Sequence, residues 1–150
     1  MKLFIIEDDT YKKDKIVDCL TENYDDLEWL YAKSVTSGVR LIQDIDDEYI
    51  ILLDMSLPTY DLDITSGGRP QGFGGVEILR NMEFFGKVNN VIVITQYESI
   101  RIGNKNFDFD ELKLELQSEF QDSFHSLIYF NVISDDWKAK LISSIDRIIV

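Results

Sequence analysis

Short apolar runs alternating with helix-like segments constrain the fold of this chain more than any other sequence feature. The runs lie at 3–6, 27–32, 49–53, 91–94 and 127–132, and each is long enough for a strand but too short for a helix. Helical spacing of apolar residues predicts helices over 11–23 (capped by Thr10), from Ser34 or Thr36 to 45, over 75–85, over 110–125, and from a Ser134 cap to 149. This (βα)₅ pattern predicts an α/β fold, a doubly wound parallel sheet with helices on both faces.

Polar side chains follow these strands, at the edge of the sheet where such folds carry their sites. The first strand ends in Glu7 and Asp8, the third in Asp54, the fourth in Thr95 and the fifth near Asn131. Carboxylates gathered this closely oppose their own ionisation unless a cation neutralises them. An oxygen-only cluster suits Mg²⁺, and a carboxylate facing bound Mg²⁺ can accept a phosphoryl group.

Composition narrows the classes of partner and compartment. The 150 residues include 28 acidic and 15 basic side chains, giving a formal net charge of −13. Such a surface repels phosphate backbones and anionic lipid, so we expect no direct nucleic-acid or membrane binding. The single cysteine, Cys19, excludes an internal disulfide, and no signal peptide or membrane span is visible, so we expect a cytoplasmic protein.

Four segments resemble the receiver domain of two-component response regulators. They are residues 3–9 (LFIIEDD), 51–58 (ILLDMSLP), 75–80 (GVEILR) and 91–95 (VIVIT), and they occur in the family's order along the chain. The resemblance implies one flavodoxin-like, receiver-like domain over residues 1–150, with five parallel strands in the order 2-1-3-4-5.

The resemblance also implies roles for the residues at the strand ends. Asp54 is the phosphoacceptor, and Thr95 supplies the hydroxyl that contacts the phosphoryl group. Glu7, Asp8, Asp54 and the backbone carbonyl of Ser56 hold Mg²⁺. The implied phosphoryl donor is a histidine kinase or a phosphotransfer protein.

Three positions depart from the receiver pattern. Asn131 stands where the family ends its last strand with a lysine, and asparagine offers the phosphoryl charge only a neutral hydrogen bond. Ile128 stands at the aromatic switch position, and Gln96 stands where the family keeps a small residue. We expect the missing lysine to weaken phosphorylation or its coupling to the switch.

Two connections, near 59–73 and 96–106, are longer than those of the family, and both are expected at the site's end of the sheet. One hypothesis is that one of them closes over Asp54, and that Arg69, Arg101 or Lys105 replaces the missing lysine. The motivation is their position in the sequence alone.

Three further residues have ordinary structural interpretations. His125, the only histidine, is expected to cap the end of a helix, and Cys19 is expected in the core. Trp137 is expected to be partly buried against Tyr129 or Phe130.

These features predict a signalling module that is not an enzyme, beyond gaining and losing its own phosphoryl group. Because the chain stops just after its predicted fifth helix, output is expected through the fourth and fifth helices to a separate effector or to a homodimer. One alternative is a pseudo-receiver, a phosphorylation-independent interaction module. Another is a small hydrolase with Asp54 as nucleophile, for which the chain lacks a general acid.

All of this requires that Glu7, Asp8 and Asp54 form one pit that a divalent ion can fill. A lysine or arginine side chain held permanently among them would rule such a site out.

Overall fold

The computed structural model describes residues 1–46, 48–61, 74–97 and 99–149, which form seven strands and five helices. The strands are β1 (Lys2–Ile6), β2 (Glu28–Ala32), β3 (Ile50–Leu53), β4 (Asn90–Thr95), β5 (Ser99–Ile102), β6 (Lys105–Asp108) and β7 (Phe124–Tyr129). The helices are α1 (Thr10–Asn23), α2 (Val35–Asp44), α3 (Gly74–Phe84), α4 (Phe109–Glu119) and α5 (Asp136–Ile149). None of these helices combines the length and the apolar character of a membrane span.

Five strands form one parallel sheet in the order β2-β1-β3-β4-β7. The predicted order 2-1-3-4-5 is confirmed, since β7 is the fifth strand of this sheet. Ile6 lies beside Leu53, and Leu53 lies beside Val93, so β1 and β3 end at the same level and β4 continues to Thr95. The outer edges of β2 and β7 pair with no other described strand.

Apolar side chains cover both faces of the sheet, as the continuous apolar runs predict. Phe4 and Ile6 of β1 belong to the cluster covered by α2, α3 and α4. Leu3 and Ile5 point to the other face, into the cluster covered by α1 and α5. The sheet is therefore the middle of three layers.

Polar side chains fix the starts of α1 and α2. Asp9, rather than the predicted Thr10, caps α1, where it accepts a hydrogen bond from the Lys12 backbone N–H at 3.3 Å. Ser34 caps α2, as one of the two predicted candidates, and accepts from the Ser37 N–H at 3.2 Å. The Asp9 cap places Lys12 in the first turn of α1, directly beyond the end of β1.

The predicted boundary between the fourth helix and the fifth strand is wrong. α4 ends at Glu119, and His125 lies within β7 instead of at a helix end. The spacing of Leu116, Phe120 and Phe124 favoured a longer helix because all three are buried. Phe124 reaches the core from a strand, after a turn that its N–H closes on the Phe120 carbonyl at 2.9 Å.

The connection near 96–106 contains an antiparallel hairpin of β5 and β6. Gly103 has a φ of 63°, a backbone conformation that favours glycine. A type II′ turn requires this conformation at the first of its two central residues. Ile100 and Phe107 of the hairpin are buried in the cluster that includes Leu112 of α4. In the connection near 59–73, residues 62–73 lie outside the described part of the chain.

Candidate functional site

Three carboxyl groups converge at the carboxyl ends of β1 and β3. Glu7 and Asp8 directly follow β1, Asp54 directly follows β3, and one oxygen from each lies within 4.8 Å of the others. Glu7 and Asp54 are buried, whereas Asp8 is partly exposed. The structure thus brings together the three carboxylates that the sequence placed at the strand ends.

A lysine side chain lies among these carboxylates, so the predicted pit in which one divalent ion is shared by all three of them is not available in the free protein. Lys12 of α1 is 1% exposed, and its Nζ lies 2.6 Å from Glu7 Oε2 and 3.1 Å from Asp54 Oδ1. The same Nζ donates a hydrogen bond to the Ile94 backbone carbonyl at 2.6 Å. An ammonium has three N–H donors, so these contacts use all of them and join the ends of β1, β3 and β4.

Lys12 was missed by the sequence reasoning, although helical periodicity carries a signal for it. Ile16 and Leu20 lie four and eight residues further along α1, and both are buried. Lys12 therefore belongs to the inner face of the helix, a position where a charge requires a partner. Tyr11, one residue earlier, is 53% exposed.

The charges of the site shift the pKa of each group in a definite direction. Burial raises the pKa of Glu7, and the Lys12 ammonium opposes that rise. Burial and the charge of Asp54 raise the pKa of Asp8 to about 6. Burial alone would lower the pKa of Lys12, but the carboxylates of Asp54 and Glu7 raise it, so this side chain stays charged.

The donor set fits a divalent cation on its solvent-facing side. Glu7 Oε1 accepts from the Asp9 N–H at 3.0 Å, and Oε2 contacts Lys12, so both Glu7 oxygens already have protein partners. Asp8 lies towards solvent, and Asp54 has a second oxygen beyond the one that Lys12 contacts. A cation at this site would draw chiefly on Asp8 and Asp54.

Thr95 lies at the end of β4, next to the strand that carries Asp54. It is fully buried, and its Oγ1 accepts a hydrogen bond from the Tyr97 N–H at 3.2 Å. Gln96 is partly buried beside it. The Lys12 ammonium contacts the residue directly before Thr95, which connects this hydroxyl to the carboxylate cluster through the backbone.

The side chain of Asn131 is hydrogen-bonded within its own loop. Its Oδ1 accepts from the Ile133 N–H at 3.0 Å, an interaction within the turn after β7. Ile128, at the position of the family's aromatic switch, is buried in the core. Ser56, two residues after Asp54, is partly buried.

The described candidates for the missing cation lie in the hairpin. Arg101 is exposed and donates from Nε to the Gly103 carbonyl at 3.2 Å, and Lys105 Nζ lies 4.9 Å from the centre of the Phe107 ring. Arg69 lies outside the described residues. The cation beside Asp54 is Lys12, so the hypothesis that Arg101 or Lys105 supplies it is not supported.

Backbone packing holds the end of β3 in place. A Cβ atom at Gly75, in the first turn of α3, would lie 2.6 Å from the Asp54 carbonyl oxygen and 2.8 Å from the Met55 Cα. Gly75 also donates its N–H to the Met55 carbonyl at 3.1 Å. Only glycine allows α3 to start this close to the residue that carries the central carboxylate.

A second feature, the α4–α5 groove, lies along the outer edge of β7. It has a volume of about 490 Å³, and its charged or titratable lining residues are all basic: Lys113, His125, Lys140 and Arg147. Burial and the charge of Arg147 lower the pKa of His125. None of the 28 acidic residues of the chain is among the residues described as lining this groove.

Trp137 lies on the other face of α5. Its ring centre is 4.9 Å from that of Phe130, and it is almost fully buried. Cys19 is also buried in this cluster. Both side chains have the structural roles expected from the sequence.

No protein-family model matches the chain. Two relatives are similar over nearly its whole length. The uncharacterized protein y4jR of Sinorhizobium fredii is 28% identical over 145 residues, 94% of each chain. The Detocs response regulatory protein DtcB of Enterobacter cloacae is 25% identical over 150 residues, covering 99% of this chain and 100% of that protein.

Solved structures of response-regulator domains share the fold. The response regulator domain of Thermotoga maritima CheB has a TM-score of 0.67 at 12% identity, with 98% of this chain and 94% of that chain covered. At such low identity the likeness shows the fold alone. The resemblance drawn from the sequence is confirmed at that level, because the chain has the receiver-domain fold.

Proposed function

We propose that this chain is a signalling receiver whose Asp54 accepts a phosphoryl group. The observation that carries the proposal is the buried Asp54 carboxylate at the end of β3, flanked by Asp8 and held by one ammonium. The similarity to a protein described as a response regulatory protein supports the same assignment. The chain is not an enzyme acting on a separate substrate, and at most it catalyses its own phosphorylation and dephosphorylation.

The transfer step needs little covalent chemistry from the protein. One Asp54 oxygen forms the new bond to phosphorus, while the other would be shared between Mg²⁺ and Lys12, whose Nζ lies 3.1 Å from Oδ1 in the free protein. The phosphorus–nitrogen bond of a phosphohistidine breaks at the same time, and the imidazole nitrogen keeps the electron pair. With acetyl phosphate, a phosphorus–oxygen bond breaks and acetate leaves. The hydroxyl of Thr95 then donates to a phosphoryl oxygen, in a site where positioning and electrostatics supply the catalysis.

We assign Asp8, Asp54 and the Ser56 carbonyl to Mg²⁺ as its main ligands. Glu7 has an indirect part. When bound, Mg²⁺ would offset the negative charge of the phosphoryl oxygens. Asp8 would contribute a carboxylate from the partly exposed side of the site. Glu7 contributes mainly by holding Lys12, through the 2.6 Å contact.

The α4–α5 groove is the surface we assign to output. Receiver signalling would act by shifting these helices towards a form that binds a separate effector or a second copy of the chain. The basic lining of the groove favours an acidic partner segment, and the histidine kinase or phosphotransfer protein would dock at the Asp54 end of the sheet. We assign the protein to the cytoplasm, where such donors act.

The second candidate is a phosphorylation-independent pseudo-receiver. The observation in its favour is the Lys12 ammonium, which already occupies oxygens of Glu7 and Asp54 that a divalent ion would use. Against it, a receiver requires a lysine beside the phosphoacceptor, and this ammonium is in contact with Asp54. The two candidates differ in one measurable property, the formation of a covalent phospho-adduct.

The test is incubation with acetyl phosphate and Mg²⁺, followed by intact mass spectrometry. We expect an adduct of one phosphoryl group on the wild type, none on Asp54→Asn, and the wild-type adduct on Asp44→Asn, a matched change at the exposed end of α2. An adduct that persists in Asp54→Asn, or a folded wild type without any adduct, would refute the proposal. The second of these results would favour the pseudo-receiver.

A further inference from the structure

The site has a cation, but the cation comes from an unexpected element. The last strand of the sheet, β7, ends without a lysine, and Asn131 is bonded within its own turn. The ammonium beside Asp54 belongs instead to the first turn of α1, and its Nζ lies 6.0 Å from the centre of the Phe130 ring, directly after β7.

Packing alone does not account for this lysine. Lys12 is among the largest fully buried side chains, in a helix face otherwise formed by Ile16, Cys19 and Leu20. An unbranched apolar side chain would fill the same space without the cost of desolvating a charge. The Lys12 ammonium contacts Asp54 Oδ1, an oxygen of the group that we propose as phosphoacceptor.

The contacts of Lys12 also reach the strand that carries Thr95. The Ile94 carbonyl accepts from Nζ at 2.6 Å, and Ile94 directly precedes Thr95. A phosphoryl group on Asp54 would bring nearly two negative charges next to this ammonium. Any turn of the ammonium towards that group removes a donor from the end of β4, just before the β5–β6 hairpin.

We infer that Lys12 is the phosphoryl-binding cation of this receiver, supplied from α1 in place of the lysine that the end of β7 lacks. The inference rests on the proposed function, since it names a group that acts on the phosphorylated Asp54. It makes the ammonium a mobile ligand that binds carboxylates in the free protein and phosphoryl oxygens after transfer. It also makes the ammonium a competitor of Mg²⁺ for the oxygens of Asp54.

These two roles predict opposite effects for one substitution. Lys12→Met removes the charge and keeps an unbranched chain. We expect its rate of adduct formation with acetyl phosphate to fall roughly ten- to a hundredfold, the range for a lost hydrogen bond to a charged group. We expect its Mg²⁺ affinity, measured by calorimetry without a phosphodonor, to rise, because three carboxyl groups then share no protein cation.

Three further variants make the comparison specific. Lys15→Met is the matched control on the exposed side of α1 and should behave as wild type in both measurements. The double variant Lys12→Met with Asn131→Lys returns a lysine to the strand end and should recover part of the lost rate. Lys12→Gln replaces Lys12→Met in the comparison if circular dichroism shows that the methionine variant does not fold.

Each result bears on one claim. If the wild type and a folded Lys12 variant form the adduct at the same rate, the inference is overturned and the proposed function stands. A parallel loss of adduct formation and Mg²⁺ affinity would also overturn it, because that is the signature of a merely structural lysine. Wild type without any adduct would refute the proposed function itself.

Discussion

The carboxyl group of Asp8 couples the charge of the site to the stability of the fold. Its pKa is raised from 3.8 to about 6 by burial and by Asp54. The folded state therefore holds the proton more tightly than the unfolded chain, and stability falls as the pH rises through this interval. At neutral pH, ionised Asp8 destabilises the protein.

We predict that Asp8→Asn stabilises the protein at neutral pH by about 1–2 kcal/mol, allowing for its partial contact with solvent. Urea unfolding at about pH 7.5 and about pH 3 measures the effect, and the gain should nearly vanish at the lower pH, where Asp8 is mostly protonated in both states. Asp18→Asn, on the exposed side of α1, is the control and should change little at either pH. Equal gains at the two pH values would contradict the assigned cause.

Among single residues, the sequence predicted the carboxyl groups of the site but not its ammonium group. Glu7, Asp8 and Asp54 were predictable because each directly follows a strand, and parallel strands bring their carboxyl ends together. Lys12 was not, because a lysine in a helix is usually solvated and its burial here depends on carboxylates from two different strands. Asn131 indicated that the end of the last strand lacks a lysine, but it did not point to Lys12.

Among the elements, the β5–β6 hairpin is the part without a counterpart in the predicted (βα)₅ pattern. It is anchored by Phe107, which is 7% exposed and packs in the cluster beneath α4. We predict that Phe107→Ala costs roughly 3 kcal/mol of unfolding free energy, as other buried phenylalanines do. The exposed neighbour Asn106→Ala should stay within about 0.5 kcal/mol of wild type.

Chemical denaturation of both variants measures this difference. Hydrogen exchange of the β5–β6 amides then tells whether the hairpin opens alone or with the rest of the fold. A Phe107→Ala protein as stable as Asn106→Ala would show that the hairpin is not packed as described.

Elements at the centre of the sheet were easier to predict than those at its margin. β3 and β4 are buried on both faces, so unbroken apolar runs identified them within one residue at either end. The α4–β7 boundary was misplaced because Phe120 and Phe124 are both buried and spacing does not reveal where the backbone turns. The sequence does not predict the hairpin, because its polar strands, with only Ile100 and Phe107 buried, lack a continuous apolar run.

For the whole molecule, the dominant electrostatic quantity is the net charge of −13. Like charges spread over a small domain repel one another and favour expansion, and salt screens this repulsion. We predict that the Tm rises as NaCl is increased from about 10 to about 150 mM, over which the Debye length falls from about 30 to about 8 Å. KCl should give the same rise, and a fall in Tm would mean that surface ion pairs outweigh the repulsion.

The two open edges of the sheet give this charge another consequence. β2 and β7 each present a rim of backbone amides and carbonyls that no other described strand covers. Near the isoelectric point of about 4.3 the net repulsion between molecules disappears, and strands of this kind can then pair edge to edge. We expect turbidity in mildly acidic solution before global unfolding. At neutral pH, the negative net charge of the chain therefore also prevents self-assembly.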